Sequence, residues 1–274
     1  MTDVMSTQQR IAEELRVPAT FDAAEEIERR VVFLADRLVD TGLTTLVLGI
    51  SGGVDSTTAG RLCQLAAERA RAAGHPAVFV AMRLPYGVQA DEHHAQAALE
   101  FIRPDRALTV DVKPAADAAL AALVAGGLTF RDAAQQDFVL GNIKARQRMI
   151  AQYAVAGAAG GLVVGTDHAA EAVTGFFTKH GDGAADVIPL TGLTKRRVRA
   201  LAAALGAPTE LVGKAPTADL ETLAPGKLDE DALGLAYEHI DDYLEGRPVP
   251  AEVEAALVAR YQATDHKRQL PIAP

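Results

Sequence analysis

The chain has 274 residues, 49% hydrophobic and 23% charged, with a formal net charge of −9. That is the balance of an ordinary globular protein with room for one large domain or two small ones, and its acidity argues against coating a nucleic acid. Cys63 is the only cysteine, which excludes an intrachain disulfide and a cysteine-based zinc site.

The first 16 residues contain no apolar leader core, and the longer apolar runs are interrupted by glycine or charge, so a cytoplasmic protein without a membrane partner is expected. Asp22-Ala-Ala-Glu25 reads as a helix-capping box, with Ile27, Val31, Leu34 and Leu38 following at helical spacing. Gly42 ends that helix, and residues 44–50 read as a strand rich in Leu and β-branched side chains. Helix is predicted over 56–73, strand over 77–83, helix over 91–101, strand over 107–112 and helix over 114–123. Gly126-Gly127 precedes a long helix over 135–159; Gly160-Gly161 stops it before a short strand at 162–166. Residues 186–190 suit a fifth strand or an extended loop, and 216–231 suit a mobile loop. The alternation predicts an α/β fold: a Rossmann-like, doubly wound parallel sheet of about five strands, helices on both faces, in one domain over 1–274.

Ligands of such sheets bind at the carboxyl ends of strands. Two motifs fall there. The run Leu46-Val-Leu-Gly-Ile-Ser-Gly-Gly-Val-Asp-Ser56 joins the first strand to its helix. Gly52 and Gly53 allow a sharp turn that presents backbone N–H groups to a phosphate, and the following helix adds its positive end. Ser51 and Ser56 supply hydroxyls, and Asp55 is a hard oxygen ligand suited to Mg²⁺. No lysine follows as in G-x-x-x-x-G-K-[ST]. The second motif, Gly165-Thr-Asp-His-Ala-Ala-Glu171, runs from a strand end into a helix. Its Asp167 and Glu171 either share a cation with Asp55, or serve as a helix cap and a solvated charge. Lys144 and Arg148 share a helical face that Arg146 does not, and Thr194-Lys-Arg-Arg197 opens a helix with positive charge. Each set suits phosphate or an ordinary solvated surface. The histidines, His168 included, read by default as surface or structural residues.

The S-G-G-x-D-S loop resembles that of the ATP pyrophosphatases. Together with Arg83-Leu-Pro85, Gly141-Asn-Ile-Lys-Ala-Arg146, Gly165-Thr-Asp-His-Ala-Ala-Glu-Ala-Val-Thr-Gly-Phe-Phe-Thr-Lys179, Pro189-Leu-Thr-Gly-Leu-Thr-Lys195, Pro216-Thr-Ala-Asp-Leu220 and His266-Lys-Arg268, it makes nearly the whole chain similar to the ammonia-dependent NAD synthetases. The resemblance implies an adenine nucleotide alpha hydrolase-like fold and a two-step amidation. A nicotinate carboxylate of deamido-NAD attacks the ATP α-phosphate, and ammonia then displaces AMP. No covalent protein nucleophile is implied. Gly49, Ile50, Ser51, Gly52, Gly53, Val54, Asp55, Ser56, Thr166, Lys195 and Thr217 are implied to contact ATP. Arg146, Lys179, Asp186, His266 and Lys267 are implied to hold deamido-NAD, and Asp55 and Glu171 to bind Mg²⁺.

The family acts as a homodimer with substrate across the interface. Position 54 is valine where close relatives often carry glutamine, and its side chain is expected to point into packing. Ammonia rather than glutamine is the expected nitrogen donor, since neither length nor a suitable cysteine allows a glutaminase domain. The competing readings are another ATP pyrophosphatase, such as a GMP synthetase-like or tRNA-modifying enzyme, and a non-catalytic nucleotide sensor. The acidic balance weighs against tRNA, and the G-T-D-H-A-A-E run against GMP synthesis.

Overall fold

The structure, a computed structural model, describes residues 5–88, 92–217, 220, 223, 226, 228–269 and 271. Asp91, the expected start of one helix, and part of the expected loop at 216–231 lie outside the described residues.

Local signals decide where each element begins. Ser6 and Gln9 form a reciprocal capping box at the head of α1 (Thr7–Glu14). Asp22 accepts the Glu25 N–H at 2.9 Å to open α2 (Ala23–Thr41), which Gly42 closes in the left-handed region at φ 69°. Strand and helix then alternate: β1 (Thr45–Gly49), α3 (Val54–Ala72), β2 (Val78–Arg83), α4 (Glu92–Ile102), β3 (Arg106–Thr109), α5 (Lys113–Ala125), α6 (Ala133–Ala159) and β4 (Gly161–Val163). Helices follow: α7 (Ala169–Thr174), α8 (Lys195–Ala204), α9 (Thr209–Val212), α10 (Asp229–Leu233), α11 (Tyr237–Leu244), α12 (Ala251–Ala263) and α13 (Asp265–Arg268).

The sheet is parallel in the order β3-β2-β1-β4, with β1 paired to β2 from Thr45↔Val78 to Gly49↔Met82. Side chains alternate across it as the pleat requires. Leu46, Leu48, Phe79 and Ala81 join the core beneath α2, α3 and α8, while Val47, Val80, Met82 and Val163 face the other side with Ala156 of α6. Both faces are covered, which explains the nearly unbroken apolar strands. A third apolar cluster gathers Ile11, Val173, Ile240, Tyr243 and Leu257 from α1, α7, α11 and α12.

Among the described residues the sheet has four strands, close to the expected number of about five. Residues 186–190 contribute a single parallel bridge, Val164↔Val187. Pro189 has no N–H to extend a ladder, and the chain turns at Thr191, whose N–H donates to Ile188 O. The strand order reverses between β1 and β4, which opens a crevice at their carboxyl ends.

Leu62 of α3 is wholly buried in the core that holds this helix under the crevice. Leu62→Ala is expected to lower the unfolding free energy by about 2–5 kcal/mol, read by urea denaturation.

Candidate functional site

The loop after β1 is built around two serines and two glycines. Ser56 Oγ accepts the Ser51 N–H at 3.2 Å and lies 3.1 Å from Ser51 Oγ, which accepts the Gly53 N–H at 3.2 Å. Gly52 has φ +81°, and a Cβ there would stand 2.6 Å from the Ala95 N. Glycine is therefore required both by conformation and by the close approach of α4. Gly53 is the N-cap of α3 and makes no side-chain cap hydrogen bond, which leaves the helix start suited to an anion. Val54 is 3% exposed and belongs to the core, as expected for an apolar residue there. Arg83 braces the loop by donating to Ile50 O at 2.6 Å while pairing with Glu92, and Gln152 accepts the Gly49 N–H at 2.8 Å.

Across the crevice, His168 caps α7 and Lys195 opens α8. His168 takes the capping place that Asp167 held as one alternative; its Nδ1 accepts the Glu171 N–H at 3.4 Å. Lys195 is 1% exposed and its Nζ donates to Asp55 Oδ2 at 2.7 Å. His168 Nε2 lies 3.5 Å from both Asp55 Oδ1 and Glu171 Oε2. Those three atoms are buried without a hydrogen-bond partner. One donor atom from each of the three residues lies within 4.8 Å of the others.

Charge and burial fix the protonation of the group. Burial opposes ionisation of Asp55, but the charge and hydrogen bond of Lys195 prevail and hold its pKa below the usual value. Burial likewise disfavours the Lys195 ammonium, yet Asp55 and Glu171 keep its pKa above the usual one. Glu171 is driven well above the ordinary carboxyl range by burial and the Asp55 charge. Burial drops His168 to about 3, so the ring is neutral. Burial, with Asp182 and Asp55 nearby, pushes Asp167 up to about 8. The cluster has more acid than base, and its bare oxygens suit a hard divalent cation.

Asp55, Glu171 and Lys195 line a cavity of about 460 Å³. Of the residues singled out in the sequence, Gly49, Ile50, Ser51, Gly53, Val54, Asp55, Ser56, Thr166, Glu171, Lys195, Thr217 and Lys267 lie on its wall, as do Phe176 and Phe177. Arg148 is on the wall too, whereas Lys144 is buried and donates to Leu220 O at 2.8 Å. A second, outer pocket of about 370 Å³ gathers Arg146, Lys179, His266 and Lys267. Lys267 touches both pockets and donates to Gly175 O and Phe177 O at 2.9 and 2.8 Å. Asp186 lines neither pocket; it is exposed, and its carboxylate accepts the Val163 N–H at 2.7 Å.

Gln152 and Asp229 on the wall belong to no motif, and His168, which does not line the cavity, was given only a default surface or structural role. Its spacing three residues before Glu171 was the available clue.

A parallel α/β sheet with a phosphate-type loop and an acidic pair at its switch point defines a nucleotide-binding protein of the doubly wound class. Residues 26–271 match the NAD synthase family, and the chain belongs to that family. It is 74% identical over 270 residues to the NH(3)-dependent NAD(+) synthetase of Streptomyces coelicolor, covering 98% of each chain. The crystal structure of NAD+ synthetase from Burkholderia pseudomallei is 63% identical with a TM-score of 0.85, covering 99% of this chain and 100% of that one. NMN synthetase from Francisella tularensis is 33% identical with a TM-score of 0.81, covering 93% and 99%.

Lys195→Met leaves the half-buried Asp55 without its counter-charge. A loss of roughly 3 kcal/mol in stability is expected, with partial recovery in the double variant Asp55→Asn/Lys195→Met, both read by urea denaturation.

Proposed function

We propose that the chain catalyses the ATP-dependent amidation of deamido-NAD with ammonia, forming NAD and releasing AMP and pyrophosphate. The observation that carries this reading is the meeting of the 51–56 loop, the Asp55–Glu171 pair and Lys195 on one cavity wall. The identity of the relatives supports the same chemistry.

In this reading the nicotinate carboxylate oxygen attacks the ATP α-phosphorus and pyrophosphate leaves. The nitrogen of ammonia then attacks the acyl carbon, AMP leaves with the bond electrons, and a proton is lost from nitrogen. Gly49 to Ser56, Thr166, Lys195 and Thr217 hold ATP, the loop amides and the α3 N-terminus facing its phosphates. Asp55 and Glu171 are the residues that hold Mg²⁺, and their partnerless oxygens fit it. Bound there, Mg²⁺ neutralises phosphate charge as a Lewis acid. Arg146, Lys179, His266 and Lys267 hold the anionic dinucleotide in the outer pocket. Asp186, on the wall of neither pocket, meets substrate bound across the interface with a second protomer. No covalent protein nucleophile is needed; positioning and electrostatics carry the reaction.

A single domain using free ammonia fits the one cysteine, because Cys63 is fully buried and burial pushes its thiol far above the usual range. The need for ATP fits a cytoplasmic setting. No helix among the described residues is long and apolar enough to cross a membrane. A homodimer fits the apolar side chains left on α5 and α6, where Leu123, Val124 and Ile150 are 46%, 48% and 51% exposed.

Purified chain with Mg²⁺-ATP, deamido-NAD and ammonium is expected to yield NAD and pyrophosphate in equal amounts, and no NAD when glutamine replaces ammonium. Nicotinic acid mononucleotide is the competing arm, because the Francisella relative is an NMN synthetase. Preference for it would reassign the substrate, and ATP binding without pyrophosphate release would favour a nucleotide sensor. For the assembly, Ile150→Asp is expected to shift the sedimenting species from dimer to monomer; a wild-type monomer at micromolar concentration would remove the dimer.

A further inference from the structure

The side chain of His168 is completely buried between the two carboxylates. Its Nδ1 is occupied, accepting the Glu171 backbone N–H that α7 would otherwise leave unsatisfied. A ring nitrogen that accepts an N–H carries no proton, so the proton of the neutral imidazole is on Nε2. Nε2 lies 3.5 Å from Asp55 Oδ1 and the same distance from Glu171 Oε2, facing the gap between the two residues. Asp55 is thus held on two sides, with Lys195 on Oδ2 and the imidazole facing Oδ1. Tyr237 lies edge-on to the ring with centroids 6.5 Å apart, and the backbone beside it is fixed by the Ala169 N–H, which donates to Leu193 O at 2.8 Å.

A histidine that ligates a divalent cation presents a bare nitrogen to it. Here the bare nitrogen is committed to the helix start, and the nitrogen aimed at the carboxylates bears hydrogen. We propose that His168 is a positioning residue. Its Nε2–H faces the Asp55 and Glu171 carboxylates at 3.5 Å and by that proximity sets their spacing for a divalent cation, and the imidazole does not ligate that cation. This inference rests on the reading of Asp55 and Glu171 as the cation pair. Outer-shell partners of this kind are worth about 10–100-fold in metal affinity.

The test uses the full chain with Mn²⁺ and ATP, together with the metal-free chain carrying ¹⁵N-histidine. Nitrogen NMR of the metal-free chain is expected to show the Nε2–H tautomer for His168, and the Nδ1–H tautomer would overturn the proposal. Pulsed EPR of bound Mn²⁺ is expected to lack the coupling of a directly coordinated imidazole nitrogen; such a coupling, altered by ¹⁵N-histidine, would also overturn it.

His168→Asn keeps a capping acceptor and removes the distal N–H. Its expected effect is an Mn²⁺ dissociation constant raised about 10–100-fold with thermal unfolding of the metal-free chain little changed. His168→Gln returns an N–H near the lost position and is expected to recover part of the affinity. Wild-type affinity in His168→Asn would sink the idea. Failure of Mn²⁺ to bind the wild-type chain would instead remove the cation pair, and with it the proposed purpose of His168, whatever its tautomer.

Discussion

The rest of the site depends on the ion pair between Lys195 and Asp55. Its atoms are 2.7 Å apart, and it joins the loop after β1 to the start of α8 across 140 positions of the chain. The start of α8 is itself fixed from behind, because Asp241 of α11 accepts the Lys195 and Arg196 N–H groups at 2.9 and 2.8 Å. Arg196 and Arg197 extend that contact to Glu245. The sheet core and the C-terminal helical cluster are therefore tied together at the point where phosphate chemistry is placed. A displacement of α11 would reach the loop through two hydrogen-bonded residues.

The distribution of charge explains how an acidic chain handles anionic substrates. Around Lys195 stand Asp55, Glu171 and Asp229, with Asp167 close by, and burial and mutual repulsion hold Glu171 and Asp167 toward their protonated forms. A divalent cation in their midst would favour the carboxylates and supply the positive charge that a polyphosphate needs. The outer pocket needs no such help, since Arg146, Lys179 and Lys267 already concentrate positive charge there. Lys267 touches both compartments and holds the turn carrying Phe177 between them.

Much of this arrangement was legible in the sequence because its signals are local. The apolar run before Ser51, the glycines after it and the second motif at Thr166 mark strand ends, and a parallel sheet brings strand ends together. The capping residue at Asp22 and the stops at Gly42 and Gly160 fell where expected. Long-range choices were not legible. Residues 186–190 have the composition of a strand, but one proline and a turn leave only a bridge. Asp167 was read as a cap in one alternative and His168 as a surface or structural residue, yet His168 is the cap, a choice made by its buried place facing Asp55. The helices from Asp229 onward pack on α1 and α7 through contacts that no periodicity in one segment reveals.

Asp186 has a consequence beyond any ligand. Strand β4 ends the sheet, and the outer edge of a parallel sheet is a template on which another chain can pair. The Asp186 carboxylate occupies the Val163 N–H, and the backbone N–H groups of Asp186 and Val187 cover Val163 O. An exposed charge thereby sits on the edge where an added strand would begin, which guards the folded chain against edge-to-edge aggregation.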